Sequence, residues 1–529
     1  MVLLEWHRTA GIGTTVTAAR SPVRPPLPGR FTSTGELMAA AAAEYGARDA
    51  YVEQDGTRLG FDEWYQRSRA LAARLRGRGV DRGDVVALML PSGIDYAICY
   101  SAIALLGAVT TGINTRLGPR EVESILTQAQ PALVIRDADA GLPEIDAALP
   151  VMARSELDAA FHEGDTDFVS ATTGLDAPVT IIFTSGTTGL PKGAWFDGEN
   201  MAAAAHSAGV MSAPYDRRLS STPFPHAGYM AKLWDQLVWG ITLVVSPVPW
   251  SAAKMRDILV RERITMAGGV PTQWTKLLDL PDVRRDSFPD LRLGIVATAP
   301  ASPELVERTA ELIGVPLVVR YAMTESPSVC GTAIDDRPDV AFRTVGKPQT
   351  GMDVRITDED GTDVPTGRVG RVRVRGACVM RGYWNDDERT ADAFDDDGWF
   401  VSGDLGSITD EGDLVLAGRV GDMYIRGGFN VHPVEVDHVL AEHPGVKEAA
   451  VVGYPTPVIG EIGVAFVVPS DASSPPTSAS LRRWTADRLA DYKSPDHLVI
   501  VDALPLTAMN KVDRNRLRTL ASENPPPPR

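Results

Sequence analysis

Ten residues concentrate the groups that phosphate chemistry needs. The run Thr184-Ser185-Gly186-Thr187-Thr188-Gly189-Leu190-Pro191-Lys192-Gly193 carries hydroxyls, glycines and one cation. Glycines let a backbone come close to a ligand and present its N–H groups to it. The hydroxyls add donors and Lys192 adds charge. Phosphate oxygens are bound by such a set, and so is a magnesium ion carried on them. A plain surface turn is the competing reading, and the density of Gly, Thr and Ser around one lysine argues against it. The run is not a Walker loop, in which the lysine is followed by Ser or Thr; here Gly193 follows Lys192. Two further residues stand out by setting. His226 lies in Pro223-Phe224-Pro225-His226-Ala227-Gly228, and Lys511 in Pro505-Leu506-Thr507-Ala508-Met509-Asn510-Lys511-Val512. Taken alone, the histidine reads as a buried structural group and the lysine as a surface charge.

The elements that must hold these groups follow from periodicity. Val179-Thr180-Ile181-Ile182-Phe183 is an apolar run that reads as a buried strand leading into the glycine-rich loop. Upstream, strands at 84–90, 108–114 and 132–135 alternate with helices at 61–76, 96–106 and 119–129. Downstream, strands are expected at 221–228, 242–246, 266–271, 293–297 and 317–321, with helices at 200–210, 252–262 and 303–313. Strands alternating with helices imply a parallel sheet covered on both faces. From residue 354 to 375 the texture changes to alternating apolar and polar residues with Asp-Gly and Glu-Gly turns, the pattern of half-exposed antiparallel sheet. After Arg419 a small α+β unit is expected, with helices at 433–443 and 481–492 and strands at 448–452 and 464–468. The fold class is therefore α/β. A large N-terminal domain, 1–420, holds stacked sheets with flanking helices and a β-barrel-like subdomain. A small mobile C-terminal domain spans 421–529.

The glycine-rich run resembles the phosphate-loop signature of the adenylate-forming superfamily, which includes acyl-CoA synthetases, luciferases and peptide-synthetase adenylation domains. The resemblance continues in order through Tyr321-Ala322-Met323-Thr324-Glu325, Ser402-Gly403-Asp404, Gly418-Arg419 and Lys511. It implies a chemistry in which a carboxylate attacks the α-phosphate of ATP, pyrophosphate leaves, and a thiol then displaces AMP from the acyl-adenylate. By this likeness Thr184, Ser185, Gly186, Thr187, Thr188, Gly189 and Lys192 hold the β- and γ-phosphates. Glu325 and the Thr184 hydroxyl hold magnesium, and Thr324 donates to the α-phosphate. Tyr321, Ala322, Met323 and Ala299 border the adenine, while Asp404 and Arg419 hold the ribose. Lys511 is the catalytic cation between carboxylate and α-phosphate, and His226 gates the carboxylate pocket. Gly427, Gly428 and Phe429 border the route of coenzyme A. The residue at the family's hinge is Gly421. The implied cofactors are ATP (or an acyl-AMP), Mg2+ and coenzyme A.

Four departures from the family pattern stand out. Ala322 and Asn510 stand where glycine is usual, Ala297-Thr298 replace a glycine pair before Ala299-Pro300, and Gly421 replaces Asp or Lys. Glycine at a hinge accepts large torsional change without a Cβ clash. The other three add atoms near nucleotide or lysine loop, and so raise the alternative of an enzyme restricted to thioester formation on a supplied adenylate. A further alternative is a stand-alone enzyme that loads a carrier protein. The acid pocket is expected along 224–229, 268–272 and 326–331, mostly small or apolar and with no fixed cation for a second carboxylate. A bulky hydrophobic acid, polycyclic or aryl, is the expected substrate.

Bulk properties bound the partners. A chain of 529 residues with 44% hydrophobic content exceeds one core. A net charge of −17 argues against nucleic acid, whose phosphates need a basic surface. Cys99, Cys330 and Cys378 are too few and too scattered for a disulfide framework or zinc site, and they suit a reducing cytoplasm. No secretory signal and no apolar run of about 18 residues is present, so no transmembrane segment is expected. The Pro-Pro-Arg terminus gives no peroxisomal address. A monomer or homodimer acting on a small-molecule acid is the expected assembly.

Overall fold

The computed structural model describes residues 16–17, 24–137, 149–163, 168–171, 173–184, 191–220, 222–297, 303–337, 340, 343–426, 429–456, 460–507, 511–523 and 525. Ser185, Gly186, Thr187, Thr188, Gly189, Thr298, Ala299, Gly427, Gly428 and Asn510 lie outside the described residues.

Two large sheets form the N-terminal body. The first is seven-stranded, in the order Gly382–Tyr383, Gly193–Asp197, Pro178–Phe183, Val109–Gly112, Val85–Met89, Leu133–Arg136 and Val151–Ala153. From Pro178–Phe183 onward the strands are parallel, while Gly193–Asp197 and Gly382–Tyr383 are antiparallel additions. The second is nine-stranded. It runs Lys347–Pro348, Ser326–Gly331, Leu317–Met323, Leu293–Ala297, Met266–Gly269, Arg217–Ser220, Thr242–Val245, Asp49–Val52 and Arg58–Gly60. Its interior, from Leu317–Met323 to Asp49–Val52, is parallel. Strands buried on both faces must be apolar throughout, and Val85–Met89 is buried at every position. The helix Ile94–Leu106 is buried nearly all round, which matches its almost unbroken apolar sequence. Tyr96, Tyr100, Phe224 and Tyr229 pack together there, and the rings of Phe224 and Tyr229 stack at 3.7 Å between centroids.

The strand expected at 221–228 lies earlier, at Arg217–Ser220. Pro223 and Pro225 cannot donate to a ladder, so the chain leaves the sheet before them. The arginines of the true strand are paired in the interior. Arg218 binds Asp235 at 2.8 Å, and Arg217 binds Glu262 at 3.0 Å and Asp49 at 3.2 Å.

The alternating stretch forms a third, wholly antiparallel sheet of Val16–Thr17, Met352–Thr357, Gly370–Gly376, Phe400–Ile408 and Leu414–Arg419. A fourth sheet holds Phe429–Val431, Tyr424–Arg426, Gly460–Pro469 and Val446–Thr456, with His497–Ile500 parallel to Gly460–Pro469. Its two faces carry separate cores, one around Tyr424, Val436, Leu440 and Leu481, the other around Val452, Phe466, Leu504 and Leu517. The helix expected at 481–492 is Ser478–Ala486, followed by a single 3-10 turn at Asp491–Lys493. The architecture is mixed α/β: a large N-terminal part of stacked sheets and helices, an antiparallel unit, and a small α+β C-terminal part.

Candidate active site

The strands on either side of the glycine-rich run form an antiparallel pair. Pro178–Phe183 and Gly193–Asp197 pair antiparallel, with Phe183 opposite Gly193. The Thr184 N–H donates to the Lys192 carbonyl at 2.9 Å, and the Lys192 N–H reaches Thr184 Oγ1 at 3.4 Å. Both ends of the loop are thus fixed to a sheet. A Cβ at 193 would lie 2.8 Å from Ile181 Cγ2 and 2.9 Å from Phe183 Cζ, which explains the glycine. The returning strand is absent from the sequence reading because Gly193-Ala194-Trp195-Phe196-Asp197 is short and opens on a glycine.

Opposite the loop stands Glu325, in the tight turn between Leu317–Met323 and Ser326–Gly331, where Met323 pairs with Ser326. Thr324 shares that turn. The Tyr383 hydroxyl donates to Glu325 Oε1 at 2.9 Å, and Lys192 Nζ sits over the Tyr383 ring, 5.5 Å from its centroid. Tyr383 is a site residue that sequence reasoning missed; only its aromatic neighbours Trp384 and Trp399 mark the segment. It links the loop cation to the candidate metal carboxylate.

Tyr321, expected as a flat adenine face, is buried and uses its hydroxyl. That hydroxyl donates to Asp404 Oδ2 at 2.6 Å, and Arg419 Nε donates to Asp404 Oδ1 at 2.8 Å. Asp404 and Arg419 face each other across paired strands. The carboxylate is thereby held at a fixed angle toward the cleft. Ala322 lines that cleft and is exposed. Met323 lines the same cleft.

Lys511 approaches from the other side. Leu506 and Val512 form an isolated bridge, and the Thr507 N–H donates to the Lys511 carbonyl at 2.7 Å, so the lysine caps a closed turn. Its ammonium lies in the field of Arg419, Asp404 and Glu325. Burial, then the Arg419 charge, pull its pKa below the ordinary lysine range, against the two carboxylates. His226 caps the helix Ala227–Met230. Burial first, and the Lys511 charge second, hold its pKa at about 4, so the imidazole is neutral at physiological pH. The groups from all four sheets line one cleft of about 2290 Å³.

Two elements of the C-terminal part lie apart from these groups. Phe429 is exposed and stacks on Tyr492 at 4.5 Å. Lys493, next to it in sequence, is clamped on Glu435 at 2.6 and 2.7 Å, a structural role. At the junction, a Cβ on Gly421 would meet nothing within 4 Å, while its carbonyl accepts from Arg518 at 3.1 Å. The acid pocket differs from expectation. Arg320, on the strand paired with the expected wall segment 326–331, adds a cation to the lining of the cleft.

Residues 38–384 match the AMP-binding enzyme family, and residues 435–511 match the AMP-binding enzyme C-terminal domain. The chain is 34% identical over 528 residues to 3-[(3aS,4S,7aS)-7a-methyl-1,5-dioxo-octahydro-1H-inden-4-yl]propanoyl:CoA ligase of Rhodococcus jostii, covering 92% of this chain and 98% of that one. It is 32% identical over 481 residues to the long-chain-fatty-acid–CoA ligase FadD13 of Mycobacterium tuberculosis, covering 87% and 94%. Among solved structures, ATP-bound MatB from Rhodopseudomonas palustris superposes with a TM-score of 0.84 at 28% identity, covering 93% and 99%. The chain therefore belongs to the adenylate-forming AMP-binding enzymes and, among them, to the ATP-dependent acyl-CoA ligases.

Proposed function

We propose that this ligase joins a bulky, largely apolar carboxylic acid to coenzyme A through its acyl-adenylate, with both half-reactions performed in the cleft described above. The observation that carries the reading is the placement of Lys511. It lines one cleft with Asp404, Glu325, Arg419 and His226, and its charge is felt by the imidazole as it feels the two carboxylates. A cation there is aimed at the point where an acid's carboxylate meets the α-phosphate. Such preorganised charge lowers a barrier by about 3–4 kcal/mol.

In the first step a carboxylate oxygen attacks the α-phosphorus and pyrophosphate leaves. Lys511 offsets the repulsion between the two anions, and Thr324 donates to the α-phosphate. Neutral His226 borders the acid without adding a competing charge. Asp404, fixed by Tyr321 and Arg419, accepts from the ribose hydroxyls. Thr184 and Glu325 would hold a magnesium ion, which would neutralise phosphate charge. A single carboxylate with a hydroxyl suits that ion, which keeps waters and phosphate oxygens as its other ligands. In the second step the coenzyme A thiol sulfur bonds to the acyl carbon, AMP leaves with the C–O bonding pair, and the thiol proton passes to water. The route for that thiol is read along Gly427, Gly428 and Phe429. A swing of the part after residue 420 about Gly421 would bring them to the cleft.

The apolar reading of the acid draws on the aromatic cluster around Phe224 and Tyr229 and on relatives whose named acids are bicyclic or long-chain. Three free, buried cysteines and the lack, among the described residues, of a helix able to cross a membrane favour a cytoplasmic enzyme.

The test offers purified protein a panel of acids with Mg-ATP, then labelled pyrophosphate, then coenzyme A. Exchange of label into ATP and acid-dependent thioester are expected. Thioester only from synthetic adenylate would mark the restricted enzyme, and thioester only on a carrier protein would replace coenzyme A.

A further inference from the structure

One stretch of the small C-terminal part grips a neighbouring hairpin at two points. The hairpin pairs Tyr424–Arg426 with Phe429–Val431, and Arg426 stands opposite Phe429 at the end of the paired strands. Residues directly opposite in a ladder share a face. On that inner face Tyr424 and Val431 are buried in the core, while Arg426 and Phe429 reach past it. Both are met by the same stretch of chain, which begins with the turn Asp491–Lys493. Arg426 donates from Nε to Asp496 Oδ2 at 2.7 Å and from Nη2 to Asp496 Oδ1 at 2.8 Å. Phe429 lies on the Tyr492 ring, 4.5 Å between centroids and 20° from parallel.

The gripping stretch is itself tied down. The Asp496 N–H donates to the Gly463 carbonyl at 2.8 Å, and Lys493 is paired with Glu435. Arg482 donates to the Pro495 carbonyl at 3.3 Å and to Asp496 Oδ1 at 3.4 Å. At the hairpin's edge the Ile425 N–H donates to Glu461 Oε2 at 2.9 Å. The Asp496 side chain is 1% exposed. A buried ion pair seldom holds a fold together better than apolar packing does. A bidentate arginine–carboxylate pair sets direction as well as distance. The same hairpin keeps two large apolar side chains in water, Ile425 at 47% and Phe429 at 55% exposure. A rigidly aimed end with uncovered apolar groups suits a surface that it meets only once the small part has turned.

We propose that Asp496 and Tyr492 are positioning residues for thioester formation. They hold Arg426 and Phe429, the residues on either side of Gly427-Gly428, in the line that the coenzyme A thiol takes to the acyl-adenylate. Neither touches a substrate. This rests on the proposed route of the thiol along 427–429 and names the residues that aim it. Adenylate formation draws instead on Lys511, which the small part carries between Leu506 and the bridge partner Val512. The two half-reactions therefore respond differently when the grip is loosened. Displacing a reacting group by about 1 Å costs up to about two orders of magnitude in rate.

The experiment uses the full-length enzyme and reads the halves separately. Pyrophosphate exchange reports the first, and kcat/KM for coenzyme A with synthetic adenylate reports the second. Asp496→Asn and Tyr492→Leu should keep exchange within about threefold of the parent and lose about tenfold or more in the second half. Retained exchange also certifies that the small part is folded, since exchange needs Lys511. Tyr492→Phe keeps a ring and should stay within about threefold in both halves. Arg426→Lys keeps the charge without the second contact, and its thioester step should fall between the parent and Asp496→Asn. Losses of equal size in both halves, in both Asp496→Asn and Tyr492→Leu, would mark a purely structural clamp and overturn the proposal. So would a thioester step within about threefold of the parent in both variants, or Tyr492→Phe behaving like Tyr492→Leu. A parent enzyme that forms no thioester with coenzyme A would sink the proposed function and this clamp with it. A parent that forms it, with variants that do so equally well, sinks the clamp alone.

Discussion

Replacing Lys511 with alanine should slow acyl-adenylate formation about a hundredfold or more. Two cations, Lys511 and Arg419, face two carboxylates, Asp404 and Glu325, and the set is neutral. Without the lysine it carries one uncompensated negative charge toward an incoming triphosphate and carboxylate. A unit charge about 5 Å away, at an effective dielectric of about 20, costs about 3 kcal/mol. That corresponds to a rate loss of about two orders of magnitude. The second half-reaction has no such anion pair to bring together, so thioester formation from synthetic adenylate should fall less than about tenfold. Lys511→Arg keeps the charge and should recover part of the first step. Pyrophosphate exchange reads the first half, and thioester release from the adenylate reads the second. Exchange within about threefold of the parent, or equal losses in both halves, would refute the charge argument.

Tyr383→Phe removes the donor to Glu325 but keeps the ring beneath Lys192; it should cost about 1 kcal/mol, seen as a roughly fivefold lower kcat/KM for Mg-ATP with the unfolding midpoint unchanged. His226 has a folded pKa of about 4 against an ordinary 6.5, so the unfolded chain takes up a proton that the fold refuses. Stability is therefore unaffected above about pH 6.5 and is lost as pH falls toward about 4, by about 1 kcal/mol at pH 5 once partial exposure is allowed for. In urea titrations at pH 7 and pH 5, His226→Asn should show a smaller difference than the parent. Asp235→Ala leaves Arg218 and Ser212 buried without their acceptor, and denaturant unfolding should report a loss of about 3–5 kcal/mol.

Periodicity located most of the parallel strands because they are buried on both faces and carry the signal throughout, as at Val85–Met89 and Leu293–Ala297. It failed at Arg217–Ser220, where two interior arginines disguise a central strand and their acidic partners come from distant segments. The helix Arg514–Glu523 was passed over for a similar reason, since it buries only Leu517 and Ala521. In the site, the motif residues were legible as chemistry. Their roles toward one another were not. Nothing in Arg381-Gly382-Tyr383 announces that its hydroxyl meets Glu325, because that contact spans 58 residues. The place of Arg320 in the cleft lining was hidden likewise. In the sequence Arg320 is one polar residue in an apolar strand, and nothing there shows that its guanidinium lies over Gly331.

Arg419 does two jobs at one address. It holds Asp404, and two residues later the Gly421 carbonyl is already tied to Arg518 of the last helix, with Asp422 on the same arginine at 2.7 Å. If the C-terminal part turns about Gly421, as proposed, the backbone left free to move is barely longer than one peptide unit. Any swivel there starts by straining the grip on Asp404. Nucleotide release and reorientation would then be one mechanical event, and a looser connection would uncouple them.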